Sequence, residues 1–282
     1  MSETVLAVEN LQISSPGARL VHGVSFAINA GEIVGLVGES GSGKTLSTLA
    51  AARLLPSGLS STADRLEFHG EDLTGPSGRK TRALLGTRMA MVFQDPMSSL
   101  NPAMRIGPQM TEATRVHLGY SRQQAREAAL RSLRDVHIPD AERRLRQYPH
   151  ELSGGMRQRV MIAMGLMSQP TLLIADEPTT ALDVTVQAQV MTLLRELNNV
   201  HGTAILLVSH NIALLSEICD RVLVMYRGHL VDDAPVDQLA APDRHPYTRA
   251  LIGAVPDLAT DRSRELVDVP DFAPEPEGTA HA

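Results

Sequence analysis

Short apolar runs separated by glycine-rich turns mark the first part of the chain. Three such runs, Val5 to Val8, Val24 to Ile28 and Ile33 to Val37, have the length and composition of β-strands. A glycine-rich loop follows the third run, and the residues from about Thr45 to Leu55 have the pattern of a helix that ends before a proline. This region therefore predicts a strand, a loop and a helix in direct succession.

Helical periodicity dominates the middle of the chain, from roughly Pro96 to Met167. Ser121 and Gln124 have the spacing of a capping box at a helix start. The apolar residues that follow on one helical face are Ala125, Ala129, Leu133 and Val136. We predict a helical subdomain in this segment.

Strand patterns return in the last third of the chain. Leu172 to Ala175 and Ala204 to Val208 are continuously apolar and are separated by a helical stretch from about Thr185 to Asn198. Strands without polar alternation, joined by helices, predict a buried parallel sheet. A further pair of strands is predicted at Arg221 to Met225 and His229 to Val231, with a turn between them.

Composition narrows the classes of protein that this pattern allows. With 282 residues and 43% hydrophobic content, the chain can bury a large core in one large domain or two small ones. The net charge of -6 argues against a nucleic-acid partner, because such partners attract clustered Lys and Arg. The one cysteine, Cys219, cannot form an intrachain disulfide and is typical of a reducing cytosol.

The sequence lacks the patterns of a membrane anchor and of an export signal. Its longest apolar run, Val160 to Met167, is far below the ~20 residues that a membrane-spanning helix needs. The Met1 end is acidic and has no basic, apolar signal pattern. If the protein works at a membrane, we expect a partner to hold it there. Residues 256–282 are rich in proline and acidic residues and are predicted to be disordered.

The segment from Gly38 to Thr45 matches the pattern G-x-x-x-x-G-K-[ST] between the predicted strand and the predicted helix. Glycines let successive backbone N–H groups point at phosphates, and Lys44 adds a positive charge near the β- and γ-phosphates. The hydroxyl of Thr45 can ligate magnesium. The pattern predicts a nucleoside triphosphate site, whose expected ligands are Gly38, Glu39, Ser40, Gly41, Ser42, Gly43, Lys44 and Thr45.

Two further motifs carry groups that suit this chemistry. The apolar run that ends at Ala175 is followed by Asp176 and Glu177, and adjacent carboxylates are costly to bury without a cation. Asp176 fits a carboxylate that holds magnesium, and Glu177 can polarise an attacking water. Leu152 to Gln158 begins a predicted helix whose first amides form a second anion-binding turn. On its own, such a Ser-Gly-Gly start is more often only a helix cap.

Taken together, these motifs resemble those of the ATP-binding cassette (ABC) family over about residues 5 to 255. Leu152 to Gln158 is similar to the family's signature sequence. Three more motifs match in family order. Gln94 in Val-Phe-Gln-Asp is similar to the Q-loop, Asp183 in Ala-Leu-Asp to the D-loop, and His210 in Val-Ser-His to the switch histidine.

The resemblance implies an α/β fold. Its core is that of a P-loop NTPase, with a parallel sheet flanked by helices. An N-terminal antiparallel β subdomain and an inserted α-helical subdomain, at about residues 96–167, complete the expected structure. Residues 1–255 are then one nucleotide-binding domain.

The resemblance also implies roles for the site residues in the hydrolysis of ATP. Glu177 and His210 are the expected catalytic residues, with His210 in contact with the γ-phosphate. Thr45, Gln94 and Asp176 are the expected contacts of Mg²⁺. The family forms head-to-tail dimers, in which the residues expected to reach the ATP of the partner subunit are Ser153, Gly154, Gly155 and Gln158.

Several segments resemble the peptide and nickel importer branch of the family. They are Gly-Glu-Ser-Gly-Ser-Gly from Gly38, Gln-Asp-Pro-Met-Ser-Ser-Leu-Asn-Pro from Gln94, Gln-Tyr-Pro-His-Glu-Leu-Ser from Gln147, Ala-Asp-Glu-Pro-Thr-Thr-Ala-Leu-Asp from Ala175, and His-Pro-Tyr-Thr from His245. This resemblance implies an ATPase motor that energises the uptake of di- and oligopeptides through a separate permease.

The branch implies partners and a location as well. The expected partners are membrane permease subunits that dock near Gln94 to Asn101, a second ATPase subunit that is identical or a sister, and an extracytoplasmic solute-binding protein. The expected location is the cytoplasmic face of the cell membrane. Nickel or another small solute stays open as the cargo. A soluble ABC ATPase of translation or repair is disfavoured, because the chain has neither two cassettes nor a coiled-coil insertion. The branch motifs disfavour an exporter.

The chain departs from the family pattern at three places. It lacks the C-terminal cysteine cluster of many peptide-importer ATPases, so we expect no iron–sulfur centre. Asn211 follows His210 where the family usually has Asp. Between Asn10 and Gly23 there is no aromatic residue, although relatives place there the ring that stacks on adenine. We expect Ile13, Leu20 or Arg19 to cover the base instead, by apolar contact or guanidinium stacking.

Overall fold

The computed structural model describes residues 3–75, 78–94, 99–179 and 183–254. The predicted C-terminal tail at 256–282 lies outside these ranges, as do Ala181 and Leu182 of the D-loop. In chain order the strands are β1 (Thr4–Ser15), β2 (Ala18–Asn29), β3 (Ile33–Val37), β4 (Ser60–Thr62), β5 (Arg65–Phe68), β6 (Glu71–Asp72), β7 (Met89–Val92), β8 (Leu172–Asp176), β9 (Ala204–Ser209), β10 (Arg221–Tyr226) and β11 (His229–Pro235).

The first helix follows β3, and the other helices come later in the described chain. The helices are α1 (Lys44–Ala51), α2 (Arg79–Arg88), α3 (Ile106–His117), α4 (Arg122–Asp135), α5 (Ala141–Arg144), α6 (Gly154–Leu166), α7 (Val184–His201), α8 (Ile212–Ile218) and α9 (Pro246–Gly253). Short 3₁₀ helices occur at Pro149–Glu151 and Val236–Gln238.

The N-terminal sheet is antiparallel, with the strand order β2-β1-β5-β6, and β4 pairs with the end of β1. β1 and β2 have 12 residues each and are longer than the predicted runs. Asn10 has a left-handed backbone (φ 51°) where the register shifts between Val8 and Leu11, which is typical of a β-bulge. Leu6 of β1 and Leu206 of β9 belong to one hydrophobic core, so the two sheets pack on each other.

The central sheet has the order β11-β10-β3-β9-β8-β7. All neighbours from β10 to β7 are parallel, and β11 is antiparallel to β10. β3, β8 and β9 are buried along their whole length, which explains why their sequences are almost continuously apolar. The predicted parallel sheet is confirmed.

The register of this sheet positions the functional loops. Val37 pairs with Ser209, and Asp176 pairs with Val208, so the carboxyl ends of β3, β8 and β9 lie at one edge. Loops that follow adjacent parallel strands meet at such an edge, which is where ligands bind in open α/β sheets. The segments after these three strands are therefore brought together.

The helices α3 to α6 lie between β7 and β8 in the chain and form the helical insertion that the resemblance implied. The predicted capping box of α4 is confirmed. The Gln124 N–H donates to Ser121 Oγ at 3.2 Å, and the Ser121 N–H donates to Gln124 Oε1 at 2.9 Å. The buried face of α4 and its C-cap contains Ala125, Ala129, Leu133 and Val136, as predicted.

One helix boundary was predicted wrongly. α1 ends at Ala51 and not near Leu55. Arg53 has a left-handed backbone (φ 60°), a conformation that a right-handed helix cannot continue through. The chain therefore leaves the helix before the proline that the sequence pattern took as its end.

Candidate active site

The loop from Gly38 to Lys44 joins the end of β3 to the start of α1, as the sequence predicted. Gly41 and Gly43 have φ angles of 82° and 99°, in the left-handed region that glycine adopts without a steric penalty. A Cβ atom on Gly38 would collide with the carbonyl oxygen of Met225 in β10. Glycine is thus required by the curl of the loop and by its close packing on the sheet.

Lys44 is the first residue of α1 and is buried. Its Nζ atom donates hydrogen bonds to the carbonyl oxygens of Gly38 (2.8 Å) and Glu39 (2.7 Å). Burial lowers the pKa of Lys44, and the charges of Glu177 and Asp176 oppose this shift. The ammonium group is held inside the curl of the loop, where a phosphate group would be within reach of its charge.

Thr45 and Asp176 bring two oxygen atoms together beside this loop. The Thr45 hydroxyl donates to Oδ1 of Asp176 at 3.1 Å. Asp176 ends β8 and is 4% exposed. Burial raises its pKa, while the hydrogen bond from Thr45 acts in the opposite direction. A hydroxyl and a carboxylate in contact form an all-oxygen donor set, which fits the ligands that Mg²⁺ prefers.

Glu177 follows directly and has a left-handed backbone (φ 45°), a strained conformation for a residue with a side chain. Its N–H donates to the carbonyl oxygen of Val208 in β9 at 3.0 Å, which holds the strained residue in place. Its carboxylate atom Oε2 lies 3.2 Å from Nε2 of Gln94 and 3.4 Å from Nδ1 of His210. Backbone strain at the candidate general base is typical of functional sites.

A cavity of about 370 Å³ opens where these groups meet. It is lined by Leu20, Ser40, Gly41, Gly43, Lys44, Thr45, Leu46, Gln94, Glu177 and His210. The structure therefore brings the nucleotide-binding loop, the Q-loop glutamine, the candidate base and the switch histidine to one place. Leu46 is a wall residue that the sequence analysis did not name.

The structure distinguishes between the three residues that were expected to contact the nucleotide base. Leu20 lines the cavity. Ile13 is fully buried in the hydrophobic core between the sheets, so this alternative is ruled out. Arg19 is exposed on β2 and does not line the cavity. Leu20 is the residue of the three that is placed to contact a base.

The signature turn, which we define as Ser153 to Gly155, lies at the start of α6. Ser153 is the N-cap, and its Oγ accepts a hydrogen bond from the N–H of Met156 at 3.3 Å. A Cβ atom on Gly155 would lie 2.8 Å from Cγ1 of Val186 in α7, so close packing favours glycine here. Ser153 and Gly154 are exposed, and the turn does not line the cavity formed by the described residues.

Gln158 and Asp183 are two further predicted site residues, and neither lines the cavity formed by the described residues. Gln158 is 1% exposed inside α6, and its Nε2 has no hydrogen-bond partner among the described residues. Because its side chain is buried, Gln158 is not on the surface that a second subunit would contact. The prediction that it contacts the partner's ATP was therefore wrong. Asp183 is exposed and is the N-cap of α7, where its Oδ1 accepts from the N–H of Val186 at 3.0 Å.

Sequence reasoning missed one contact of the nucleotide-binding loop. The N–H of Glu39 donates to the hydroxyl of Tyr247 at 3.0 Å, although the two residues are 208 positions apart. Tyr247 belongs to the His-Pro-Tyr-Thr segment, which the resemblance had marked without a role. Its position behind the loop is a feature of the tertiary structure alone.

The fold and the cavity define the chain as a nucleotide-binding ATPase of the P-loop class. More specifically, it belongs to the ABC transporter family, whose sequence profile matches residues 21–180. The family hydrolyses ATP, and the chain is accordingly an ABC-type ATPase.

Curated relatives match most of the chain. A probable peptide ABC transporter ATP-binding protein of Sinorhizobium fredii is 49% identical over 257 residues, which are 91% of this chain and 77% of that protein. The dipeptide transport ATP-binding protein of Escherichia coli K12 is 47% identical over 256 residues, which are 91% of this chain and 78% of that protein.

Solved structures confirm the fold class. An ABC transporter component of Clostridium perfringens has a TM-score of 0.73 and 28% identity, and the match covers 85% of this chain and 92% of that chain. A dimeric ATP-binding cassette bound to ADP and phosphate has the same fold, with a TM-score of 0.69 and 24% identity over 82% of this chain and 98% of that chain. Within the described ranges of our chain, every helix is too short or too polar to cross a membrane.

Proposed function

We propose that this chain is the ATP-hydrolysing motor of an ABC importer and that it energises the uptake of di- and oligopeptides through a separate membrane permease. The observation that carries the proposal is the identity of 49% and 47%, over 91% of the chain, to ATP-binding proteins named for peptide and dipeptide transport. The cavity supplies the chemistry that such a motor requires.

The loop from Gly38 to Thr45 binds the phosphates through backbone N–H groups and the charge of Lys44. Glu177 orients the attacking water and accepts its proton, because its carboxylate lies at the cavity wall. Gln94 and His210 keep that carboxylate in place through contacts of 3.2 Å and 3.4 Å. His210 also reaches the γ-phosphate in this proposal.

Thr45 and Asp176 would hold the Mg²⁺ that accompanies ATP, with Gln94 as a third contact. Bound there, the ion would offset the negative charge of the phosphates. The contact of 3.1 Å between Thr45 and Asp176 supports this assignment, because the two oxygen ligands are already adjacent. The side chain of Gln94 lies at the same cavity wall.

A second ATPase subunit, identical or a sister, completes the site. The exposed signature turn offers the N-terminal amides of α6, which suit the γ-phosphate of an ATP bound by the partner subunit. ATP then favours the associated state, and hydrolysis releases it. A permease that docks near Gln94 to Asn101 would hold the pair at the cytoplasmic face of the membrane. Residues 95–98 of that segment lie outside the described ranges.

Reconstitution of the ATPase with its permease tests the proposal. Proteoliposomes should hydrolyse ATP and accumulate a labelled dipeptide when a peptide-loaded solute-binding protein is added on the extracytoplasmic side. A matched complex with Glu177→Gln should do neither. Accumulation of nickel without peptide would assign another solute to the same motor. ATP hydrolysis with export of the labelled dipeptide would contradict the importer role.

A further inference from the structure

The His-Pro-Tyr-Thr segment, His245 to Thr248, connects the C-terminal end of the described chain to the nucleotide site. We propose that Tyr247 is a positioning residue whose hydroxyl holds the first turn of the nucleotide-binding loop. This inference rests on the proposed function only in that the loop must bind a nucleotide phosphate.

The contact joins the side chain of a buried tyrosine to the backbone of an exposed loop residue. Tyr247 is fully buried, and its hydroxyl accepts the hydrogen bond from the Glu39 N–H at 3.0 Å. The carbonyl oxygen of Glu39 accepts from Lys44 Nζ at 2.7 Å, so the backbone of Glu39 is held at both its N–H and its C=O. The Tyr247 ring packs against Tyr226 with centroids 4.4 Å apart. Burial raises the pKa of Tyr247 to about 12, so the hydroxyl stays neutral at physiological pH.

The segment around the tyrosine is anchored on β11. Oδ2 of Asp232 accepts hydrogen bonds from the His245 N–H (2.9 Å) and the Thr248 hydroxyl (2.6 Å). Arg244 adds an ion pair with Oδ1 of the same carboxylate at 3.4 Å. His245 also caps α9, because its Nδ1 accepts from the N–H of Tyr247 at 3.1 Å. These contacts of Asp232 hold the start of α9, and Tyr247 in this first turn contacts the loop.

A second hydrogen bond also holds the loop from outside it. The N–H of Gly228, in the turn between β10 and β11, donates to the carbonyl oxygen of Ser42 at 3.0 Å. Glu39 and Ser42 are thus both held from outside the loop, and Ser40 and Gly41 between them line the cavity. Fixing the loop in this way reduces the conformational entropy that it loses when a phosphate binds, and such preorganisation increases affinity.

Removal of the hydroxyl alone tests this role. Tyr247→Phe keeps the ring and should raise the Kd for Mg-ADP about fivefold, because the nucleotide must then order the loop. Thr203→Val is the matched control. The hydroxyl of Thr203 is buried and donates to the carbonyl oxygen of Pro170 at 3.0 Å, at the opposite end of the sheet. Each variant removes a hydroxyl of a buried residue together with its hydrogen bond, but only Tyr247→Phe changes a contact of the loop.

Calorimetric titration of the full chain gives the Kd of each protein, and thermal unfolding gives the loss of stability that both variants share. Weaker ADP binding by Tyr247→Phe alone supports the positioning role. Equal affinity of the three proteins, or an equal loss in both variants, overturns it while leaving the proposed function in place. A wild-type chain that binds no ADP would overturn the proposed function together with this inference.

If Tyr247→Phe does not fold, amide hydrogen exchange of the wild-type protein tests the positioning role of Tyr247. In the wild-type protein without nucleotide, the Glu39 N–H should exchange at least about tenfold more slowly than in an unstructured peptide, because it is donated to a buried hydroxyl. Exchange at the rate of the unstructured peptide would overturn the proposal, since the hydroxyl would then not hold the loop.

Discussion

The nucleotide cavity and the signature turn are both built on a helix start that contains glycine, but the chain completes only one of them. At the cavity, Lys44 is held by its own loop, and both carboxylates already contact side chains from other parts of the chain. The signature turn has its N-cap and its packing contact with α7, and its first two residues are exposed. The comparison indicates a cavity assembled within one subunit and a turn that is available to another.

Sheet topology explains the difference. β3, β8 and β9 are adjacent and parallel, so the loops that follow them meet at one edge and supply the cavity. The signature turn begins a helix of the inserted segment between β7 and β8 and does not line the cavity formed by the described residues. In the proposed function, the same local feature therefore has an intramolecular role in one region and an intermolecular role in the other.

The largest effect is expected from Glu177→Gln, which should bind ATP but hydrolyse it at least ~100-fold more slowly, because a positioned base is lost. Phosphate release under single-turnover conditions measures the rate. Glu196→Gln is the control, since Glu196 is an exposed residue of α7 outside the cavity. Near-normal hydrolysis by Glu177→Gln would show that the base is elsewhere.

A smaller effect is expected from Lys44→Ala, which should weaken ATP binding about 10- to 100-fold, as for the loss of a charge-assisted hydrogen bond. The loop also loses its internal contacts to Gly38 and Glu39. Calorimetry measures the affinity, and Arg53→Ala, which removes a positive charge just beyond α1, is the control. Unchanged ATP affinity in Lys44→Ala would mean that the loop does not bind the phosphates as described.

The smallest effect is expected when the base of the nucleotide is changed. GTP should compete with ATP within about tenfold, because Leu20 offers an apolar contact and no stacking ring. Leu20→Tyr should raise ATP affinity by about fivefold if the new ring stacks on the base. Competition binding with both nucleotides measures the preference. A preference for ATP above about a hundredfold would reveal an adenine-specific contact that the cavity wall does not explain.

The main elements of the proposed site could be predicted because each lies at or just after the end of a buried strand. Lys44, Asp176 and Glu177 lie in segments whose residue types match the phosphate, metal and water chemistry proposed for them, whereas His210 was expected from the family resemblance. Continuous apolar strands also predicted the centre of the parallel sheet. These features depend on residues close in sequence, which a pattern can detect.

Other features depend on contacts that no local pattern records. β4, β5 and β6 have two to four residues each, too few for a reliable period. Gln158 lies in a helix with buried residues on several faces, so its burial could not be deduced from one apolar stripe. The left-handed backbone of Glu177 and the contact between Tyr247 and Glu39 arise only in the tertiary structure.

In the proposed function, the signature turn binds the nucleotide of another subunit. Light scattering tests this most directly, by measuring the molecular mass of the Glu177→Gln protein with and without Mg-ATP. We expect the mass to about double with ATP, alone or with a sister ATPase subunit, because ATP links the two halves. Adding Ser153→Asp should abolish this association, since Asp still caps the helix but places a negative charge against the γ-phosphate. If Glu177→Gln binds ATP but its mass does not change, either alone or with a sister subunit, the proposed role of the signature turn is contradicted.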